Sequence, residues 1–294
     1  MKHHVSFKDR LFDVCNILLL IAVSLIFWYP MYHVLVASFS DPIRLLSHSG
    51  ILFKPVGFSL EGYRVVFRNP NIIIGYKNTL IYVIGGTLLN ILFTSMGAYV
   101  LSRKKLMWKK PLTIAIVFTM YVSGGLIPNF LLIRALGMYN TRSALIIPGL
   151  IATWNLIVMK TSFQRIPDSL EESAKIDGAN DFTILFRIIM PVAKATVAVM
   201  ILFYSVGHWN AWFNAMVYLR SRALFPLQLL LREILISNSS SGNVFDSATE
   251  NSVFLLDTLI KYCTIVISTV PILFVYPLAQ KYFMKGVMMG SLKE

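Results

Sequence analysis

Charge is scarce in this chain. Its 294 residues include 14 Asp and Glu, and charged residues make up 14% of the total. Soluble domains carry about a quarter, so a soluble globular fold is excluded as the simplest description. Cysteine is nearly absent: Cys15 and Cys263 are the two present, too few and too far apart for a disulfide framework, and both are expected free. No G-x-x-x-x-G-K-[ST] run occurs, so the chain has no phosphate loop to cradle ATP. The five histidines (His3, His4, His33, His48 and His208) make neither H-E-x-x-H nor a Cys/His zinc spacing. No cofactor, metal or catalytic nucleophile is expected, and repeats of roughly 20–50 residues are missing as well.

What is plentiful is apolar surface. Hydrophobic residues are 56% of the chain and the mean hydropathy is +0.67. A helix needs about 20 mainly apolar residues to cross the hydrocarbon. Six stretches meet this, near residues 11–37, 76–102, 111–132, 143–159, 192–215 and 254–283. The fold class expected is an all-α polytopic membrane protein with six transmembrane helices, residues 1–294 forming one domain. Lys2, Lys8 and Arg10 before the first run resemble a signal peptide. That run exceeds the roughly 7–15 residues of a secretory segment, and no small-x-small site follows, so it is read as an uncleaved span. Pro111 suits the first helical position of the third span. Gly124, Gly125 and Pro128 interrupt that span; Pro148 and Pro271 mark further kinks, either packing features or hinges.

The net charge of +13 would suggest nucleic acid in a soluble protein. Here it follows the positive-inside bias, and no nucleic-acid partner is expected. Sixteen Lys and Arg fall on the proposed inner side, ten on the outer side, and Lys261 within or near a span. Arg103, Lys104, Lys105, Lys109 and Lys110 share one short loop, which places that loop and both termini in the cytoplasm. Ionisable groups inside the spans are few; Asp257 and Lys261, four apart, are expected to pair. A secondary carrier for a small solute is the alternative reading, though such carriers show functional carboxylates or broken-helix sites near the midplane.

The segment at 160–191 is too charged for lipid and too ordered for a plain loop. Pro167 allows a helix to start beside it, Ser169 and Glu172 have the spacing of a capping box, and Glu171 and Lys175 are an i,i+4 pair. Gly178 fits the left-handed position that closes a helix. Asn180 or Asp181 can cap a second helix, whose Phe182, Leu185, Phe186 and Ile189 make an apolar stripe. Two readings are open: an amphipathic helix pair lying on the membrane, or a docking knob for a separate subunit.

Glu172-Ser173-Ala174, Gly178, Ile188 and Met190-Pro191 resemble the EAA motif of binding-protein-dependent ABC importer permeases, with Ser173 in place of Ala and Met190 in place of Leu. The carbohydrate branch is resembled further at 166–170, 175–179 and 137–141, and at Trp209-Asn210-Ala211-Trp212. The ending at 285–291 is similar to MalG-like subunits of the LplC/YtcP group. The resemblance implies a type I ABC importer permease fold, a second homologous permease subunit, two ATP-binding cassette subunits and an extracellular solute-binding protein. It implies a carbohydrate substrate, an oligosaccharide or polysaccharide breakdown product, and a bacterial plasma-membrane location among membrane lipid. It also makes 161–191 a coupling loop to the ATPase, with Glu171, Glu172, Ser173, Ala174, Asp177, Gly178 and Pro191 as its site residues. Rings stack on sugar faces and amides bond hydroxyls, so Trp209, Asn210, Trp212 and Asn214 are candidates for a substrate path. Interfacial anchoring is the competing reading.

Overall fold

A computed structural model describes residues 7–104, 106–237 and 258–274. Asp257 (the partner expected for Lys261), Lys105, the ending at 285–291 and much of the sixth expected span lie outside these residues. Helices dominate, and no strand occurs among the described residues beyond a single Ser40–Phe58 bridge. The chain forms two compact units, residues 1–69 with 234–269, and residues 70–233 with 270–294.

The first unit is built on α1, Phe7–Ser38, long enough at about 1.5 Å per residue to cross a bilayer. Its apolar side chains are exposed from Leu11 to Trp28, as a lipid-facing or partner-facing helix requires. At its last residue Ser38 Oγ and Tyr63 OH share a 2.7 Å hydrogen bond. Cys263, a free and buried thiol, donates to the Ser38 carbonyl at 3.4 Å.

The second unit is organised around α2, Pro70–Ser102. Asn78, Tyr82, Gly86, Asn90, Thr94, Ala98 and Ser102 are all buried, one every four residues. Four residues turn a helix by about 400°, so this stripe drifts around the axis by about 40° per step and meets different neighbours along its length. Chief among them are α3, Thr153–Gln164, and α5, Lys194–Trp209, with α4, Asp168–Ile176, between them in sequence. Ala98, Leu156, Met159, Phe163, Ile189 and Met200 fill the apolar core.

The third, fourth and fifth expected spans are not straight. Residues 119–125 separate helices Lys109–Phe118 and Leu126–Ala135, with Gly125 at φ +84°. Pro111 falls in the third position of its helix rather than the first, and Pro128 lies in the first turn of the next, not at the break. Ser143–Gly149 and Thr153–Gln164 meet at 47°, and Asp181–Val192 and Lys194–Trp209 at 91°. Breaking a helix frees backbone groups that lipid cannot satisfy. Asn90, fully buried, donates through Nδ2 to the Gly149 and Leu150 carbonyls at 2.6 and 2.9 Å. Tyr204 OH accepts from the Ala152 N–H at 3.1 Å and bonds Thr94 Oγ1 at 2.7 Å. His208 Nε2 completes the cluster on Asn90 Oδ1 at 2.6 Å. It occupies space that Gly86 leaves open, since a Cβ there would come within 2.5 Å of the ring.

Asn90→Leu should lower stability by about 1–3 kcal/mol, the cost of orphaning buried polar groups. Leu88→Ala on the exposed face of the same helix should change it by about 0.5 kcal/mol or less. Melting of the purified protein in detergent would compare the two.

Candidate functional site

The charged segment folds as two helices around Gly178. Pro167 takes the capping position of α4 without a side-chain bond, and Ser169 already lies inside the helix. The expected Ser169–Glu172 capping box therefore does not form, because the helix starts one residue before Ser169. The other end is as expected. Ala179 N–H bonds the Ala174 carbonyl at 2.9 Å, Gly178 N–H bonds Lys175 at 3.1 Å, and Gly178 has φ +81°. These are the paired bonds of a Schellman closure, which places a left-handed residue at this point. Asn180 then caps the second helix, accepting from Thr183 N–H at 2.8 Å. Its expected 3.6-residue stripe is replaced by a π-helical turn over Ile184–Ile189. The wider turn buries Ile184, Leu185 and Ile189 and leaves Phe182 and Phe186 exposed. Pro191 is exposed, two residues before the 91° bend at Ala193.

α4 is fastened to the end of α2 by charge. Arg103 is ion-paired with Glu171, their side chains 17% and 13% exposed. The Arg103 guanidinium lies 4.7 Å over the Tyr99 ring, and Lys175 bonds the other Glu171 oxygen at 2.7 Å. Lys104 meets Asp168 at 2.6 Å, and Lys175 also reaches Asp181 at 3.6 Å. Burial alone would raise the Glu171 carboxyl, but the bonds from Lys175 and Arg103 outweigh it and hold it below the usual glutamate range. The Lys175 ammonium is held above its ordinary value, chiefly by Glu171.

The seven loop residues thus divide. Glu171 and Ala174 face inward, one clamped and one buried, whereas Glu172, Ser173, Asp177 and Gly178 are exposed. Sequence reasoning overlooked two kinds of residue here. Arg103, Lys104 and Asp168 hold the helix in place, and Ile176 is 85% exposed at its tip. An apolar residue amid DSLEESAKIDG was the available signal for the second. At the opposite end of α5, Trp209 is buried and edge-on to Tyr76 at 6.4 Å, while Asn210 and Asn214 are exposed. Trp212 is half-buried, with the Arg232 guanidinium 4.2 Å over its ring. Among the described residues no group of three or more His, Cys, Asp or Glu could hold a metal.

Long apolar helices with an ordered charged loop beside them fit a membrane protein, and comparisons with known proteins give its family. Residues 106–217 match the binding-protein-dependent transport system inner membrane component family. The chain is 41% identical to the polygalacturonan/rhamnogalacturonan transport system permease protein YtcP of Bacillus subtilis, covering 97% of this chain and 99% of that one. It is 38% identical to LplC of the same organism, over 99% and 97%. Among solved structures it resembles a chain of a bacterial ABC transporter involved in import of the acidic polysaccharide alginate. The match has 31% identity, a TM-score of 0.86, and covers 95% of this chain and 98% of that one. The chain belongs to the binding-protein-dependent ABC importer permeases and is a multi-pass membrane protein.

A depressed glutamate stabilises the folded loop above its ordinary pKa, and this is lost as pH falls through the folded value. Amide exchange over 168–178, corrected for intrinsic rate, should therefore accelerate below about pH 4. Arg103→Gln and Glu171→Gln should each weaken the loop by on the order of 1–3 kcal/mol. The double variant should cost less than the sum, as expected for groups in direct contact.

Proposed function

We propose that this chain is one transmembrane permease subunit of an ATP-driven importer for a carbohydrate, an oligosaccharide or polysaccharide breakdown product. In this reading residues 1–294 form one domain with six spans and both termini in the cytoplasm. A second homologous permease completes the pathway, two ATP-binding cassette subunits drive it, and an extracellular solute-binding protein delivers the sugar. The observation that carries the coupling role is the two-sided α4. Its inner face is clamped to α2 through Glu171 and Arg103, while Glu172, Ile176 and Asp177 stand exposed. A helix held rigidly on one side and bare on the other can transmit a push. Glu172 and Asp177 are the polar contacts to the ATPase, Ser173 and Ile176 the close-packing ones, and Gly178 supplies the turn.

The carbohydrate assignment is supported by the relatives, one named for polygalacturonan/rhamnogalacturonan and another, 24% identical, for arabinooligosaccharides. Asn210, Trp212 and Asn214 line the sugar path at the end of α5 away from the coupling loop, while Trp209 is buried beside Tyr76.

Gly178→Leu forces a side chain into a left-handed backbone, at a cost of about 1–2 kcal/mol. It should cut sugar-stimulated ATP hydrolysis of the purified assembly at least tenfold; wild-type transport by this variant would contradict the coupling role. Co-expression of a tagged copy with its genomic neighbours, followed by mass spectrometry of the purified complex, should find a second permease in equal amount and two ATPase copies. Recovery of this chain alone under several mild detergents would favour a self-sufficient carrier.

A further inference from the structure

The clamp on α4 uses Glu171 for Arg103 and Lys175, and Asp168 for Lys104. Two lysines beside it are left to neutral partners. Lys109 Nζ donates to the Ser102 and Arg103 carbonyls, both at 3.1 Å. Lys160 of α3 donates through Nζ to Thr113 Oγ1 at 3.2 Å, and that hydroxyl donates to the Lys109 carbonyl at 2.8 Å. The two ammoniums are near enough to repel one another. Neither meets a carboxylate among the described residues. Both residues are half-buried, and Lys110 beside them is exposed.

Apolar surface continues from this charge. Helix Lys109–Phe118 buries none of its ten residues, and Leu112, Ile114 and Phe118 stand exposed along it. Just before it Leu106 packs on the core, while Trp108 is 69% exposed at φ +65°. A bulky side chain rarely adopts that left-handed backbone, and such strain gathers at binding sites.

We infer that this corner holds an anionic phospholipid from the leaflet on the coupling-loop side. Its phosphate sits between Lys109 and Lys160, Lys110 and Trp108 stand at headgroup level, and its acyl chains lie along Leu112, Ile114 and Phe118. Two repelling ammoniums with neutral partners are relieved by a phosphate, which a lysine binds as a compact point charge. Basic pockets between membrane helices take anionic headgroups in this way, and an indole favours the same depth. A soluble subunit with an acidic face would match the lysines and leave the apolar residues bare. A wholly apolar helix would do the reverse. A phospholipid matches both. The inference needs only that helix Lys109–Phe118 lies in the membrane; it does not depend on what is transported.

The test uses the full-length chain with every subunit that co-purifies, delipidated in mild detergent. Native mass spectrometry titrates dioleoylphosphatidylglycerol against dioleoylphosphatidylcholine, with glycerol phosphate as a headgroup competitor. Wild type, Lys160→Gln, Lys110→Gln and Lys54→Gln are compared, the last removing an exposed lysine of the first unit. Lys110 makes no side-chain bond among the described residues, so its variant stays informative if Lys160→Gln misfolds. The expected result is one tight phosphatidylglycerol, preferred at least tenfold over phosphatidylcholine. That preference should fall at least fivefold in Lys160→Gln, at least twofold in Lys110→Gln, and stay unchanged in Lys54→Gln. Equal affinity for the two lipids overturns the inference, as does a preference that neither Lys160→Gln nor Lys110→Gln reduces. So does an equal loss in Lys54→Gln, which would mark general attraction to charge. Displacement by millimolar glycerol phosphate would make this a free-phosphate site and overturn it too. None of these outcomes touches the importer reading, which stands or falls on the subunits recovered.

Discussion

In lipid, every backbone N–H and C=O must find a partner inside the protein, and this constraint shapes the second unit. A continuous helix largely meets it alone, as α1 does apart from the one donor that Pro30 lacks. A bent one cannot, and two helix pairs are bent among the described residues. The missing partners come from α2, whose polar side chains are placed where its neighbours break. Asn90 takes the carbonyls freed at Gly149 and Leu150, and Thr94 orients Tyr204 toward Ala152 N–H. Asn78 and Tyr82 do the same for the irregular segment at 223–225. Buried polar groups are costly only when unmatched, and Asn78, Tyr82, Asn90 and Tyr204 are each matched to a defined gap.

The same helix links the two ends of the unit. Its early residues hold the segment at 223–225 and its middle holds the breaks. Beyond its last turn, Arg103 grips Glu171 of α4. In the proposed coupling, a displacement of α4 would reach the helix breaks through this clamp and α2. The clamp is partly buried and several-membered, so it is screened less than an isolated surface pair. Glu172, Ile176 and Asp177 are left free to meet something else.

Much of the loop was legible in the sequence because its signals are local. Gly178 needs a left-handed backbone, and Glu171 and Lys175 are neighbours on one helix face; both appear as expected. The capping box failed on a two-residue offset, since Pro167 and not Ser169 takes the capping position. The apolar stripe failed because a π-helical turn changes the period that the stripe assumes. Contacts distant in sequence were not legible at all. Arg103 is 68 residues from Glu171 and read simply as one of five basic loop residues. The four-residue spacing from Asn78 to Ser102 was present throughout, but polar residues within an apolar run do not reveal that they face a broken neighbour.

The central claim is that the exposed side of α4 seats on a separate ATPase, and a cross-link tests it most directly. Ile176→Cys in a Cys15→Ser background, co-expressed with the neighbouring ATPase bearing a scanned set of single cysteines, would be oxidised in native membranes. The account predicts a disulfide-linked permease–ATPase product from Ile176→Cys, with yield changing when ATP is added. A cysteine at Lys110 should give none. Absence of any ATPase adduct from Ile176→Cys across the full scan, with the assembled complex confirmed in the same membranes, would contradict it.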